Sequence, residues 1–272
     1  MTDSIVIGNK KFELNAHTYV MGILNVTPDS FSDGGKYINV DEALKKAEEM
    51  VCDGASIIDV GGESTRPGAI PVSAEEQIER VIPVIERIKE CIDVPVSIDT
   101  YNSDVASEAV RKGVDMVNDI WALQNSRNMK SVVADSDVAC VLMHNRSNTY
   151  YTNFRAEVLA DLANYVKDAT DAGIKKDKIL IDPGIGFAKT YEQNLQMIHY
   201  IDDLHDLGFP ILLGTSRKSV IGLTLDLPIF ERVEGTIATT CIACMKGVNF
   251  VRVHDVKENV RAIRMTEAIM KA

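Results

Sequence analysis

Eight short apolar runs separated by amphipathic segments, with no step in composition along the chain, predict an α/β fold. The expected architecture is a single-domain (β/α)8 TIM barrel over residues 1–272 with an N-terminal β-hairpin. The runs occupy residues 19–25, 56–60, 94–99, 114–119, 138–144, 178–182, 209–214 and 248–253. They are almost continuously apolar rather than alternating, as expected of parallel strands buried on both faces. Eight units favour closure into a barrel over an open doubly wound sheet, and 272 residues suffice for one barrel.

Taken in order, the first residues, SIVIG-NK-KFEL, read as a hairpin turned at Gly8, Asn9 and Lys10 and placed to cap the bottom of the barrel. The segments VDEALKKAEEMVCDG and SAEEQIERVIPVIERIKE have helical spacing, and the second opens on Ser73 and Glu76, a capping-box pattern. Gly54, Gly113, Gly208 and Gly247 each stand just before a strand, where a left-handed helix cap favours a residue without Cβ. KGVDMVNDI at 112–120 echoes KGVNFVRVH at 246–254, which supports tandem units. TIATTCIACMKG reads as a buried helix, so Cys241 and Cys244 are expected to be core thiols; no second pair completes a zinc site.

Bulk properties narrow the function. A net charge of −11 and a pI near 5.0 argue against broad contact with nucleic acid or anionic membrane, while leaving room for a small anionic ligand. The first residues lack a basic region followed by an apolar one, and no apolar stretch approaches the roughly 18–20 residues of a membrane span. The five cysteines are too few and scattered for a disulfide framework. The expectation is a soluble cytoplasmic protein.

Polar residues follow the apolar runs with regularity: Asn25, Asp59, Asp99, Asn118, His144, Asp182, then Lys218, Arg252 and His254. Barrels build their sites at the carboxyl ends of strands, so this series is expected to converge on one site. Three loops rich in Gly, Ser, Thr and Pro accompany it, at 25–35, 61–68 and 182–187.

These loops carry a family resemblance. GILNVTPDSFSDGG (22–35), GGESTRPG (61–68), SIDTY (97–101), DPGIGF (182–187), GTSRKS (214–219) and RVHDV (252–256) resemble, in order, the signatures of dihydropteroate synthases. The pattern departs at Trp121-Ala122-Leu123 and at Asn145-Arg146. The resemblance implies a transferase that condenses 6-hydroxymethyl-7,8-dihydropterin diphosphate with p-aminobenzoate to dihydropteroate and diphosphate, in folate synthesis. It also implies Mg2+ and a homodimer.

The chemistry fits these residue types. A pterin edge resembles a flat guanidine, for which a carboxylate is a bidentate acceptor. Asp182 is expected there, with Asp99 and Asn118 completing the match, Lys218 donating to the ring, Gly214 in the pocket, and Met143 and Phe187 as apolar walls. Asn25, Arg66, Arg252 and His254 are expected to hold the diphosphate, with Asn25 as the Mg2+ ligand. Phe31, Thr65, Pro67, Lys218 and Ser219 are expected around p-aminobenzoate. Asp99, Asp182, Lys218, Arg252 and His254 form the expected catalytic set, and the loops at 27–35 and 62–69 are expected to exclude water. Two alternatives are a methyltransferase using methyltetrahydrofolate, which has no use for diphosphate donors, and a silent pterin-binding paralogue, which predicts broken loops.

Overall fold

The computed structural model describes residues 3–27, 39–63 and 72–272. The hairpin is there: β1 (Ser4–Ile7) pairs antiparallel with β2 (Lys10–Glu13). Eight parallel strands follow: β3 (Tyr19–Asn25), β4 (Ile57–Gly61), β5 (Val96–Asp99), β6 (Met116–Asp119), β7 (Ala139–Met143), β8 (Ile179–Asp182), β9 (Leu212–Leu213) and β10 (Phe250–Val253). Their order is β8-β7-β6-β5-β4-β3-β10-β9, and a parallel bridge between Ile181 and Ile211 joins the two ends into a barrel. The strand expected at 209–214 shrinks to Leu212–Leu213. Pro210 has no N–H for a ladder, although its carbonyl accepts from Ile181 N at 2.9 Å.

Helices cover the outside. Among the described residues they are α1 (Val40–Cys52), α2 (Ala74–Cys91), α3 (Ser103–Arg111), α4 (Met129–Ser136), α5 (Phe154–Asp171), α6 (Tyr191–His199), α7 (Ser219–Leu225), α8 (Val233–Met245) and α9 (Val256–Met270). The four glycines that end helices all have positive φ, from 72° to 107°. Ser73 caps α2 by accepting from Glu76 N at 3.2 Å, but the Glu76 carboxylate pairs with Arg80. The full reciprocal box forms instead at α6, between Thr190 and Gln193. Helix α8 is not buried all round: Cys244 is buried and Cys241 half-buried, while Ile242 and Met245 are exposed.

Strand alternation divides the apolar residues into two cores. Outward-facing side chains such as Leu24, Ile58, Val117 and Ile181 pack beneath the helices. Inward-facing ones at the strand starts, among them Met21, Ile57, Met116, Leu180, Leu212 and Phe250, meet Ile5, Ile7 and Phe12 of the hairpin. The Phe12 ring stands edge-on to Tyr19 at 4.9 Å and to Phe250 at 5.4 Å. Burying each such side chain contributes about 1.5–3 kcal/mol. The hairpin is therefore a plug for the lower end of the lumen, as the sequence suggests.

Candidate active site

Two to four residues further along the same strands, most inward positions become polar. Asn25, Gly61, Asp99 and Asn118 are register neighbours across β3 to β6, and Met143 is the register partner of Asp182. Lys218 arrives from the segment after β9, and Arg252 from β10.

Arg252 organises one side. Its Nε donates to Asp59 Oδ2 at 2.6 Å and its Nη2 to Asp99 Oδ2 at 2.6 Å. Asn118 Nδ2 donates to the same Asp59 oxygen at 3.2 Å. A guanidinium carries five N–H donors, so Arg252 keeps others for a ligand. Burial pushes the Asp99 carboxyl up to about 6 against the pull of Arg252, with Asp59 adding to the rise. Burial pulls the other way on Arg252, but Asp59 and Asp99 outweigh it and raise its pKa. The other oxygens, Asp59 Oδ1 and Asp99 Oδ1, and Ser97 Oγ are buried with no hydrogen-bond partner. Such groups are costly to leave unpaired and mark where a polar ligand or its solvent belongs.

Asp182, Lys218 and Gly214 form the opposite side. Asp182 Oδ1 accepts from Gly184 N at 2.7 Å. A Cβ on Gly214 would lie 3.9 Å from Asp182 Oδ2, 3.7 Å from Lys218 Nζ and 4.0 Å from Arg252 Cβ. Gly214 thus stands at the point where the three side chains converge, and any side chain there would fill that space. Lys218 Nζ donates to Ile185 O at 2.5 Å and lies 4.9 Å from the centre of the Phe187 ring. Burial lowers its pKa to about 8 despite Asp182, while burial raises that of Asp182 despite Lys218. Met143 is buried and Phe187 half-buried beside this pair.

The anion side is partly described. His254 N donates to Ser216 Oγ at 3.1 Å, and Ser216 Oγ lies 3.0 Å from His254 Nδ1. With the hydroxyl donating to Nδ1, the ring proton sits on Nε2. Arg217 is held away by a two-point pair with Asp255, at 3.0 and 2.5 Å. Ser219 is exposed at the first turn of α7. The Asn25 amide oxygen lies over Gly61, 3.9 Å from where a Cβ would be. Among the described residues no group of three His, Cys, Asp or Glu is placed to hold a metal ion. Phe31, Thr65, Arg66 and Pro67 lie outside the described residues.

Some of the polar series behaves otherwise than expected. His144 is completely buried and does not join the lumen, because it falls one residue after the inward Met143. Its ring lies 3.0 Å from Asp161 and 2.9 Å from Lys189. Arg146, one of the departures from the family pattern, pairs with Asp161 and Glu157 and covers the Tyr151 ring. Glu63 of the GGESTRPG loop is structural: it accepts from Val72 N, Gln77 Nε2 and Tyr101 OH. Asp59, which the sequence reading placed in the converging series without a specific role, emerges as the partner of Arg252 and Asn118, and Lys189 emerges without having been singled out. The position of Asp59 two residues before Gly61 signalled its inward direction; nothing in the sequence singles out Lys189.

Known proteins are similar to this chain in both sequence and fold. The model of the pterin binding enzyme family matches residues 21–254. Dihydropteroate synthase of Clostridium beijerinckii is 55% identical over 266 residues, 97% of this chain and 99% of that protein. The structure of dihydropteroate synthase from Clostridium difficile in the presence of pteroic acid has a TM-score of 0.92 at 51% identity, over 95% of this chain and 98% of that one. The Xanthomonas albilineans dihydropteroate synthase with 4-aminobenzoic acid has a TM-score of 0.94 at 40% identity, over the whole of both chains. These likenesses set the methyltransferase alternative aside. The chain belongs to the pterin-binding enzyme family and, within it, to the dihydropteroate synthases.

Proposed function

We propose that this transferase joins 6-hydroxymethyl-7,8-dihydropterin diphosphate to p-aminobenzoate, giving 7,8-dihydropteroate and diphosphate. The observation that carries the reading is the convergence of Asp182 and Lys218 over Gly214, facing Asp99 and Asn118 across the lumen. That spacing suits a flat ring with donors on one edge and acceptors on the other. Asp182 Oδ2 would accept from the amino-pyrimidine edge, and the Lys218 N–H groups not used on Ile185 would donate to the ring. Asp99 and Asn118 would complete the recognition, with Met143 and Phe187 against its faces.

The reaction breaks the bond between the pterin CH2 and a diphosphate oxygen, which leaves with the electron pair. The arylamine nitrogen then bonds to that carbon and releases a proton to solvent. Asp99 and Asp182, aimed before the reaction begins, would stabilise positive charge spreading into the ring. Arg252 and the Nε2–H of His254 would hold the leaving diphosphate, and Arg252 is already oriented by Asp59 and Asp99. Ser219 is placed for the p-aminobenzoate carboxylate. Mg2+, held by Asn25, would neutralise diphosphate charge. The roles of Arg66, Phe31, Thr65 and Pro67 rest on the family resemblance.

The reading extends to a homodimer in the cytoplasm. Support for the dimer comes from the apolar residues left exposed on α7 and α8: Leu223, Leu225, Ile242 and Met245. Light scattering giving a single-chain mass would remove that part. Among the described residues no helix is long and apolar enough to cross a membrane. The deciding experiment supplies both substrates and Mg2+ and detects dihydropteroate by mass, omitting each component in turn. Asp182→Ala is expected to lose pterin binding; near-native affinity in that variant would refute the pocket assignment.

A further inference from the structure

Behind the rim, outside β7 and β8, lies a polar cluster for which the condensation has no use: buried His144 and Lys189 with half-buried Arg146 and Asp161. Lys189 is its inner member. Its ammonium has three N–H donors and three acceptors: His144 Nδ1 at 2.9 Å, Gly184 O at 3.0 Å and Phe187 O at 3.2 Å. Burial drives the His144 pKa down to about 4, so the ring is neutral at physiological pH. Its Nε2 lies 3.0 Å from Asp161, which is fixed in turn by Arg146 Nε at 2.6 Å. That contact puts the ring proton on Nε2 and leaves Nδ1 as the acceptor Lys189 requires.

The two carbonyls that Lys189 grips belong to the loop after β8. Lys218 takes a third, Ile185 O, at 2.5 Å. Between Asp182 and Lys189 the loop has only turns, so these ammonium contacts do what a ladder does elsewhere. Gly184 takes φ +69°, and a Cβ there would sit 2.0 Å from His144 O, so the loop passes directly against the end of β7. Gly184 N donates to Asp182 Oδ1, and Phe187 carries the ring beside Lys218 Nζ.

We infer that Lys189 is a positioning residue for the pterin pocket, holding the loop at 182–187 so that the Asp182 carboxylate and the Phe187 ring keep their aim. The inference rests on the pterin reading of that pocket. The geometry needs the charged form, because a neutral amine has two N–H groups for three acceptors. Burial, opposed by Asp182 and Asp161 and aided by Lys218 and Arg146, lowers the Lys189 pKa to about 7. Neutral His144 completes the groups that face it.

The test compares wild type with Lys189→Met. Binding of 6-hydroxymethylpterin is followed by fluorescence, and KM is measured for both substrates. The expected result is a loss of roughly tenfold or more in pterin affinity and a comparable rise in KM for the pterin diphosphate, with KM for p-aminobenzoate within about twofold. Between pH 6 and 8 the wild-type pterin affinity declines, and this decline is shallower in the variant. Pterin affinity within about twofold of wild type, or an equal loss for both substrates, overturns the inference. Should Lys189→Met not fold, His144→Phe removes one of the three acceptors; a selective pterin defect supports the inference and its absence overturns it. Failure of the wild type itself to bind pterin would sink the underlying reading instead.

Discussion

The lower and upper halves of the lumen are built from the same strands and obey opposite rules. β4 places Ile57 below and Asp59 above, β6 Met116 and Asn118, β8 Leu180 and Asp182, β10 Phe250 and Arg252. One inward step, about 6.6 Å along a strand, separates a sealed apolar core from a charged cup. Below, every inward side chain meets another or the hairpin. Above, Asp59, Ser97 and Asp99 keep unpaired buried atoms, and burial raises the carboxyls of Asp99 and Asp182. The lower half supplies stability, and the upper half spends part of it to hold charge where a ligand can complete it. Each region should therefore answer to mutation in its own currency, the upper one in activity and the lower one in stability.

The largest effect is expected at Arg252. Arg252→Leu leaves Asp59 and Asp99 buried without their cation and removes the donor proposed for the leaving diphosphate. A loss of about 10³ in kcat/KM is expected from the missing transition-state donor. A further destabilisation of about 3–5 kcal/mol follows from breaking a buried ion pair on one side, read from denaturant unfolding. Arg252→Lys should recover little, since one ammonium cannot span two carboxylates as the forked guanidinium does. Activity of the leucine variant within tenfold of wild type would place the leaving-group contact elsewhere.

The contrast between the halves also explains what could be read in the sequence. The echo between KGVDMVNDI and KGVNFVRVH has structural content: Met116 and Phe250 occupy the lower core, while Asn118 and Arg252 both bind Asp59 Oδ2. Even Asp115 and Asn249 match, each side chain accepting from a backbone N–H at the start of a neighbouring strand, Val96 and Ile211. Position at the end of an apolar run made Asp99, Asn118 and Asp182 legible, and the same signal fails for His144 because a one-residue offset turns that ring outward. The hairpin plug was legible from its turn at Gly8, Asn9 and Lys10. Lys189 was not, because its role depends on carbonyl directions in an irregular loop, which no side-chain pattern encodes. Nor was the exposed face of α8 legible, since an apolar helix reads alike whether helices or another copy of the chain cover it.

Phe12 tests the lower half at the next size down. Phe12→Ala opens space among Tyr19, Phe250 and the strand starts, and a loss of about 3–5 kcal/mol in unfolding free energy is expected. At a temperature where the variant stays folded, kcat/KM should remain within about twofold of wild type, because the ring packs in the lower cluster against Tyr19 and Phe250. A drop in activity comparable to that of Arg252→Leu would mean that the plug sets the geometry of the cup, and the two halves would no longer count as separable.

The smallest effect is a pH response confined to the upper half. In the proposed mechanism Asp99 must be ionised to stabilise a cationic ring, and burial lifts its pKa to about 6, so kcat/KM should rise with pH through that value. It should fall again over the window between about 7 and 8, where Lys189 and Lys218 lose their protons. Each limb changes kcat/KM by up to about tenfold per pH unit. Asp99→Asn should erase the acid limb and leave the alkaline one. For folding, the raised Asp99 pKa has the opposite sign. An acid that holds its proton more tightly in the folded state stabilises the fold below the unfolded value of 3.8, and that contribution is lost as pH rises through about 6. Between those pH values the Tm of the ligand-free wild type should decline relative to Asp99→Asn, whose amide does not titrate. A wild-type Tm that instead climbs relative to the variant would show that Arg252, not burial, dominates the environment of Asp99.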